Sequence, residues 1–271
     1  MIQIGVSTQL FGNQLLSAAP LRLIRAAGFR VLEVFAAPGH FEWQDQRHVG
    51  EIAAAARGLG LSVYSVHAPW APGQDIAAVD EVQRRASVEA ACRAADALLA
   101  LGGRVLVVHP GADPARGLAE EEQLRLSRES LAQVIAYAAP RGITVALENP
   151  PPYELGGNNP AMWSLYRHFA GEPTLQACFD TGHAHIQPED MAAVSDVPKE
   201  VVLVHLSDND RSGDQHLPPP QGSIHWESLF ALLRRHRFAG CLMLELTDLP
   251  EQTRLLAEGW AWMNRALQSC L

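Results

Sequence analysis

The stretch LAQVIAYAAPRGITVALENP, residues 131–150, contains the unit from which the whole fold can be inferred. Its first part has apolar residues spaced three and four apart, which predicts a helix. Gly142 then breaks the helix and permits a tight turn into the next element. The run Thr144–Glu148 is short and nearly continuously apolar, which is typical of a parallel strand covered on both faces. Glu148 closes this strand with a carboxylate.

The same unit recurs in both directions from this stretch. Eight predicted strands alternate with eight predicted helices, so the chain is predicted to form a parallel sheet. The count of eight favours a closed (β/α)₈ TIM barrel over an open, doubly wound sheet, and STQLFGNQ after the first strand is not a glycine-rich dinucleotide fingerprint. The predicted strands are Ile2–Ser7, Val31–Phe35, Ser62–His67, Val105–His109, Thr144–Glu148, Leu175–Asp180, Val201–Leu206 and Cys241–Leu246. The predicted helices are Pro20–Ala27, Gln46–Gly60, Ala77–Leu101, Ala119–Ala139, Pro160–Ala170, Pro188–Ala193, Trp226–His236 and Pro250–Gln268.

Length and composition agree with one barrel. The chain has 271 residues, of which 48% are hydrophobic, and a TIM barrel typically has about 250 residues. We therefore expect a single domain over residues 1–271. The four cysteines form no CxxC pair, so we expect them to be buried apolar residues. The chain has neither a signal peptide pattern nor an apolar run long enough for a membrane span, which predicts a cytoplasmic protein without a membrane partner.

Charge narrows the choice of partner. The formal net charge is −9, and Lys199 is the only lysine. A protein that grips a phosphate backbone normally presents a basic face. The excess of acidic residues therefore argues against a nucleic-acid partner. It does not exclude one, since bound cations would add positive charge. A small soluble metabolite fits this charge directly.

Six consecutive predicted strands, the third to the eighth, end in a histidine or a carboxylate. The carboxyl ends of barrel strands converge on one mouth, where active sites form. Carboxylates and imidazoles are costly to bury unpaired, and a divalent cation relieves both that cost and their mutual repulsion. Each residue alone could be a capping or ion-paired group, but six in succession favour a metal site. These residues are His67, His109, Glu148, Asp180, His205 and Glu245.

A second set of polar residues follows two of these strands. Asp180 opens DTGHAH, which places His183 three residues later, and His205 opens HLSDNDRSGDQH, which contains Asp214 and His216. His183, Asp214 and His216 could bind a further metal ion. The alternative interpretation is a solvated polar loop.

Four more residues are candidates for the mouth. Arg211 could anchor a substrate hydroxyl, carboxylate or phosphate, or it could be an exposed loop arginine. Trp70 and Trp226 could wall the mouth, although such aromatic residues are more often core. Glu33 is a polar residue within the apolar strand VLEVF, where it could line the mouth or pair with an arginine.

Taken together, these motifs resemble those of the xylose isomerase-like TIM-barrel superfamily. This group includes sugar and sugar phosphate isomerases and epimerases as well as the endonuclease IV-like AP endonucleases of family 2. The resemblance covers essentially the whole chain. It rests on VHAP, VVHPG, LENP, FDTGH, HLSDNDRSGDQHLPPPQGSIHW and LELT.

The resemblance implies different roles for these residues in two branches. In the epimerase branch, one metal ion is held by residues that match Glu148, Asp180, His205 and Glu245. The residues that match His183 and Arg211 then hold the substrate. We add His67 and Trp70 as further candidate substrate-binding residues. In the endonuclease branch, three zinc ions use the same four residues and, in addition, those that match His67, His109, His183, Asp214 and His216.

From the resemblance, we predict a divalent-metal-dependent isomerase or epimerase. Its substrate would be a small keto-sugar, a sugar phosphate or an inosose-like polyol ketone. Glu148 and Glu245 would be the catalytic residues, transferring a proton through a metal-stabilised enediolate. The cofactor would be Zn, Mn, Co or Mg, with one site expected and up to three allowed by the ligand set. The resemblance also raises a homodimer as a candidate assembly.

Two alternatives stay open. One is an endonuclease IV-like zinc phosphodiesterase that acts at abasic DNA sites, and the other is a non-catalytic barrel that binds metal or sugar. The stretch HLPPPQGSIHW resembles the HLPPGxGxIDW of isomerase-like members, which favours the sugar branch. It departs from that pattern at Pro220 and His225, where glycine and aspartate are usual.

Overall fold

Eight parallel strands close into one barrel in the computed structural model, which describes residues 2–70, 73–112, 118–187, 194–247 and 250–270. Each strand pairs with its neighbours in chain order, and β1 closes the ring against β8 through the pairs Gln3–Cys241 to Val6–Leu244. The predicted fold class, a (β/α)₈ barrel, is confirmed. Helices alternate with the strands and cover the outside of the ring.

The bounds of the elements follow the predicted pattern closely. The strands are β1 Gln3–Ser7, β2 Val31–Phe35, β3 Ser62–His67, β4 Val105–Val108, β5 Thr144–Glu148, β6 Leu175–Asp180, β7 Val201–Leu206 and β8 Cys241–Leu244. The α-helices are α1 Ala18–Ala27, α2 Gln46–Gly58, α3 Glu81–Leu101, α4 Glu120–Ala138, α5 Asn159–His168, α6 Thr181–Ile186, α7 Trp226–Arg235 and α8 Gln252–Cys270. Short 3₁₀ helices cover Thr8–Phe11 and Ala139–Arg141.

Three elements differ from the sequence-based expectation. Strands β4 and β8 end at Val108 and Leu244, so His109 and Glu245 follow their strands rather than close them. The short helix α6 was not predicted, and it begins where the Asp180 side chain accepts a hydrogen bond from the His183 backbone N–H. The predicted helix Pro188–Ala193 lies outside the described residues.

The hydrophobic core has two layers, one inside the ring and one between the ring and the helices. Alternate strand residues point inward and pack against one another, as in other closed barrels. Gly5 on β1 leaves room for Met243, because a Cβ there would lie 2.9 Å from the Met243 side chain. The inner layer consists of Val105, Val107, Ala146, Cys178, Leu203, Cys241 and Met243. The interior of the barrel below the mouth is therefore filled by packed apolar side chains.

The structure describes the side chains of three of the four cysteines. Cys178 and Cys241 are buried and Cys92 is partly buried, while the side chain of Cys270 lies outside the described part. Within the described residues, no helix has the length and apolar character that crossing a membrane would require.

Gly28 ends α1 in the left-handed region, with φ 119°, and the Trp260 indole packs against it. A Cβ at this position would lie 2.5 Å from Trp260 Nε1. We expect Gly28→Ala to lower the free energy of unfolding by about 2–3 kcal/mol, because it adds both backbone strain and a steric clash. Urea denaturation would measure this change. As a control, Gly58→Ala in α2 would meet nothing within 4 Å and should be neutral or slightly stabilising. A Gly28→Ala protein as stable as the parent would contradict the argument.

Candidate metal centre at the barrel mouth

The polar residues that end or follow strands β3 to β8 all lie at one mouth of the barrel and are all buried. None of these six residues is more than 8% exposed. Burial of this many ionisable groups is costly unless each finds an opposite charge or a cation. The mouth therefore has the character of a binding site rather than of ordinary core.

The innermost group is formed by Glu148, Asp180, His205 and Glu245. One possible ligand atom from each lies within 4.8 Å of all the others. His205 Nδ1 is 2.9 Å from Glu148 Oε1 and 3.0 Å from Glu245 Oε2, so both carboxylates face the same ring nitrogen. These are the four residues that the sequence motifs predict as metal ligands.

A second group shares Glu148 with the first. His67 Nε2 and His109 Nε2 lie 3.2 Å and 3.3 Å from Glu148 Oε2, the carboxylate oxygen that does not face His205. The ligand atoms of His67, His109 and Glu148 also lie within 4.8 Å of one another. The two oxygens of Glu148 therefore face one candidate group each.

A third group lies beside them. His183 Nε2 and His216 Nε2 are 3.2 Å and 3.0 Å from Asp214 Oδ2, and these three residues form another candidate group with ligand atoms within 4.8 Å. His183 and His216 are buried and Asp214 is partly buried. These side chains are thus enclosed, in contrast to the alternative of a solvated polar loop.

The loop that carries Asp214 and His216 is held by Asp208, which is fully buried. Asp208 Oδ1 accepts hydrogen bonds from the backbone N–H groups of Asn209 and Ile224, and Oδ2 accepts one from Trp226 Nε1 at 2.9 Å. Trp226 also packs edge-on against Trp262 of α8, with ring centroids 4.8 Å apart. Trp226 therefore supports the loop from behind, and its predicted role as a wall of the mouth is not what its contacts indicate.

Every histidine in the three groups has a polar group beside the ring nitrogen that points away from the group, and for all of them except His109 the contact is a hydrogen bond. Such outer partners fix the tautomer and leave the inner nitrogen with a free lone pair, as in metal-binding histidines generally. For three of the rings the partner is a backbone carbonyl, and for two it is a carboxylate. The pairs are His67 with Ala68 O, His183 with Asn149 O, His216 with Glu245 O, His205 with Glu33 and His109 with Glu154.

Two of these outer partners, Glu33 and Glu154, were not assigned this role from sequence. Glu33 is the polar residue within the apolar strand VLEVF, and the structure pairs it with His205 and Ser65 rather than with an arginine. Glu154 lies in the loop after β5, with Oε2 3.5 Å from His109 Nδ1. No strand-end signal marks Glu154, because it lies within an irregular segment.

The residues present fit a divalent cation. Asp180 Oδ2 is buried and has no hydrogen-bond partner among the described residues. Three carboxylates and one imidazole converge in the innermost group, and this mixture of oxygen and nitrogen ligands suits zinc, manganese or cobalt. A cation would neutralise the repulsion between these carboxylates and supply Asp180 Oδ2 with a partner.

The remaining predicted site residues lie around this centre. Trp70 stacks on His109, with ring centroids 4.7 Å apart and an interplanar angle of 16°. Arg211 is exposed, and its backbone has a positive φ of 72° stabilised by a hydrogen bond to Asn209 Oδ1. The structure therefore brings Trp70 to the buried groups and leaves Arg211 at the surface of the loop after β7.

Burial and the charges of neighbouring side chains shift the pKa values of the residues in these groups. Burial disfavours the charged form of His109, but the Glu148 and Glu154 carboxylates outweigh it and raise its pKa to about 9. Burial likewise opposes the charge on His216, which Asp214 outweighs, so that its pKa also rises to about 9. Burial raises the pKa of Asp180 to about 6, although His183 acts in the opposite direction. Protons and metal ions therefore compete for the same atoms.

This competition predicts a pH-dependent stability of the metal-free protein. The folded-state pKa values of His109 and His216 lie above their ordinary value of 6.5. Their contribution to stability is thus complete below pH 6.5 and is lost as pH rises through 9. Each ring contributes at most on the order of 3 kcal/mol, so Tm should fall by on the order of 10 °C between pH 6.5 and 9.

Thermal unfolding after treatment with a chelator would measure this fall. Protein saturated with zinc is the control, because its histidines are already unprotonated when folded and its Tm should stay nearly constant over the same range. Parallel Tm curves for the two forms would contradict the interpretation.

Comparisons with known proteins support the fold and the family. A family model described as "Xylose isomerase-like TIM barrel" matches residues 21–266. An uncharacterized protein of Methanocaldococcus jannaschii is 26% identical over 195 residues, which is 70% of this chain and 66% of that protein's length. The chain thus spans just under two thirds of that relative.

Solved structures with a similar fold include a sugar epimerase, an epimerase-like protein and a protein with bound zinc. A D-tagatose 3-epimerase-like protein has a TM-score of 0.87 at 22% identity, covering 98% of this chain and 97% of its own. An L-ribulose 3-epimerase has a TM-score of 0.83 at 20% identity, covering 100% and 96%. The IOLI protein with a bound zinc atom has a TM-score of 0.84 at 14% identity, covering 99% of each chain.

At these identities the solved structures establish the fold alone. The family model, in contrast, covers nearly the whole barrel, from α1 to α8, including all nine residues of the three candidate groups. The chain belongs to the xylose isomerase-like TIM-barrel family.

Proposed function

We propose that this protein is a divalent-metal-dependent isomerase or epimerase of a small keto-sugar or a related polyol ketone. The observation that carries this proposal is the innermost group, in which Glu148 and Glu245 flank the same nitrogen of His205 at 2.9 and 3.0 Å. Two carboxylates that face a common point can act on opposite sides of one carbon atom. The L-ribulose 3-epimerase and the D-tagatose 3-epimerase-like protein, which have the same fold, support this choice of reaction.

The metal site would be formed by Glu148, Asp180, His205 and Glu245. When bound, a divalent cation would polarise the substrate carbonyl and stabilise the negative charge that develops on its oxygen. One glutamate would remove the proton from the carbon beside the carbonyl, and the other would return a proton to the opposite face. Around them, His67, His183, Trp70 and Arg211 are the proposed substrate-binding residues.

The two glutamates are not equivalent as bases. Burial disfavours the charge on Glu148, but His205 and His109 outweigh this and hold its pKa well below the ordinary value. Burial also disfavours the charge on Glu245, and His205 again outweighs it, so that the pKa of Glu245 is lowered too but less far. Glu148 also uses both oxygens, one toward each of two candidate groups. Glu245 belongs to one group only. It needs one carboxylate oxygen as a ligand there, so the other oxygen is available to accept a proton. We therefore propose Glu245 as the stronger base of the pair.

The proposal can be tested without knowing the sugar. Purified protein would be incubated in D₂O with a panel of phosphorylated and unphosphorylated ketoses, and NMR would follow both loss of the C–H signal beside the carbonyl and formation of a new epimer. Proton transfer through a carboxylate predicts deuterium at that carbon in the product. Protein treated with a chelator is the control. A fully metal-loaded protein that exchanges no C–H across the panel would contradict the proposal.

A second candidate function has one specific observation in its favour. Nine side chains form three groups that could each hold a metal ion, beside a fourth combination in which Cys178 joins Glu148 and His205. Three such groups are what the resemblance to the zinc phosphodiesterases of abasic DNA would require. Metal analysis discriminates between the two. About three zinc ions per chain, with incision of an abasic-site duplex, favours the phosphodiesterase, whereas about one ion with ketose turnover favours the isomerase.

We further propose that residues 1–271 act as one domain in the cytoplasm, with a small sugar as the main partner. A non-catalytic metal-binding or sugar-binding barrel remains the outcome if binding occurs without turnover. Formation of a homodimer is a separate prediction, for which size-exclusion chromatography with light scattering is the direct measurement.

A further inference from the structure

Glu33 lies on β2, on the far side of His205 from the innermost group. Its side chain is fully buried. Oε2 accepts a hydrogen bond from Ser65 Oγ at 2.8 Å and lies 3.1 Å from His205 Nε2. The other nitrogen of the same ring, Nδ1, faces Glu148 and Glu245. Thus His205 lies between one carboxylate behind it and the candidate metal ligands in front.

A carboxylate in this position is expensive to bury. Glu33 is fully buried, and the hydrogen bonds found for its side chain among the described residues go to Ser65 and His205. Glu33 Oε1 has no hydrogen-bond partner in that part of the chain. The fold therefore accepts an energetic cost at this position that a leucine or valine would avoid. Such a cost suggests a role outside packing.

We propose that Glu33 is a positioning residue that fixes His205 as a metal ligand. An Nε2–H that donates to Glu33 leaves the lone pair on Nδ1, the nitrogen that faces the innermost group. The nearby negative charge also makes this nitrogen a stronger donor. The inference rests on the metal site of the proposed function, but it does not depend on which reaction takes place there.

The other histidines provide an internal comparison. His67, His183 and His216 have backbone carbonyls behind them, at 2.8 to 3.3 Å. A carbonyl fixes the tautomer but carries no full charge, so it strengthens the ring as a ligand less than a carboxylate does. Behind His109, the Glu154 carboxylate lies 3.5 Å away and forms no hydrogen bond with the ring. Among the three candidate groups, the one that contains His205 should therefore bind metal most tightly and fill first.

The test is the affinity for Zn²⁺, measured by competition with a chromophoric chelator. Glu33→Gln keeps the shape of the side chain and removes its charge, and we expect the tightest site to bind zinc about 10- to 100-fold more weakly. The matched control is Glu154→Gln, which makes the same chemical change behind His109 and should leave the tightest site unchanged. Thermal unfolding of each metal-free variant separates a loss of packing from a loss of metal affinity.

A second variant keeps the test decisive if Glu33→Gln fails to fold. Ser65→Ala retains the Glu33 charge but removes the hydrogen bond that orients it, and we expect an affinity about threefold to tenfold lower. Unchanged zinc affinity in the folded variants would overturn the role of Glu33 and leave the proposed function standing. A parent protein that binds no zinc at all would instead overturn both.

Discussion

Glu148→Gln is expected to weaken metal binding in two of the three candidate groups, most strongly in the one left with only His67 and His109, and to reduce turnover at least about a thousandfold. The reason is that Glu148 faces His205 with one oxygen and both His67 and His109 with the other. Glutamine is nearly the same size, but it replaces one anionic oxygen with an amide nitrogen that donates hydrogen bonds and cannot bind a cation. Metal analysis by mass spectrometry and the exchange assay with ketoses would measure both effects.

Asp214→Asn provides the control for this prediction. Asp214 belongs to the third group only, so its replacement should leave the metal content of the other two groups unchanged. A Glu148→Gln protein with the metal content of the parent would show that these groups do not depend on a shared carboxylate.

Glu245→Gln is expected to reduce turnover by about 10²- to 10⁴-fold while much of the metal stays bound. The innermost group would retain Glu148, Asp180 and His205, and three protein ligands are sufficient for a catalytic metal ion. If the two glutamates act on opposite faces of the substrate, the remaining one can still exchange a proton on its own side. One of the two epimers should therefore take up deuterium from D₂O without inverting.

This separation of exchange from inversion is specific for a two-base mechanism. A single-base mechanism at Glu245 would lose both exchange and inversion in the variant, for both epimers. A Glu245→Gln protein with the turnover of the parent would rule out Glu245 as a proton-transfer group. Measuring both epimers of the active pair in D₂O therefore identifies which face each carboxylate serves.

Much of the fold could be predicted from local sequence. Buried parallel strands are short apolar runs, and glycines such as Gly142 mark the turns before them, so the barrel and most of its strand bounds were predictable. The position of polar residues at strand ends also predicted which side chains would meet, since all strands point the same way. His67 and Glu148 meet at 3.2 Å although they are 81 positions apart in the chain.

What could not be predicted depends on relations across the ring. Helix α6 has only six residues and two histidines, and it begins because the Asp180 side chain caps it; such a helix has no room for an apolar periodicity. The partner of Glu33 is 172 residues away. Finding that pair requires knowing that β2 and β7 both point these side chains into the barrel at the same level along its axis. That level depends on the register of all the strands between them, which no local sequence pattern shows.

The distribution of the candidate ligands along the chain has an evolutionary consequence. All four residues of the innermost group come from β5 to β8, the second half of the barrel, whereas His67, His109 and the supporting Glu33 come from β2 to β4. The second half-barrel alone thus encodes a complete set of ligands. Recombination or drift in the first half could alter the wall that meets the substrate, including Trp70, without removing any of those four ligands. A lineage built in this way can acquire new substrates by changing one half of the gene while it inherits all four metal ligands from the other half, as long as Glu33 behind His205 is kept.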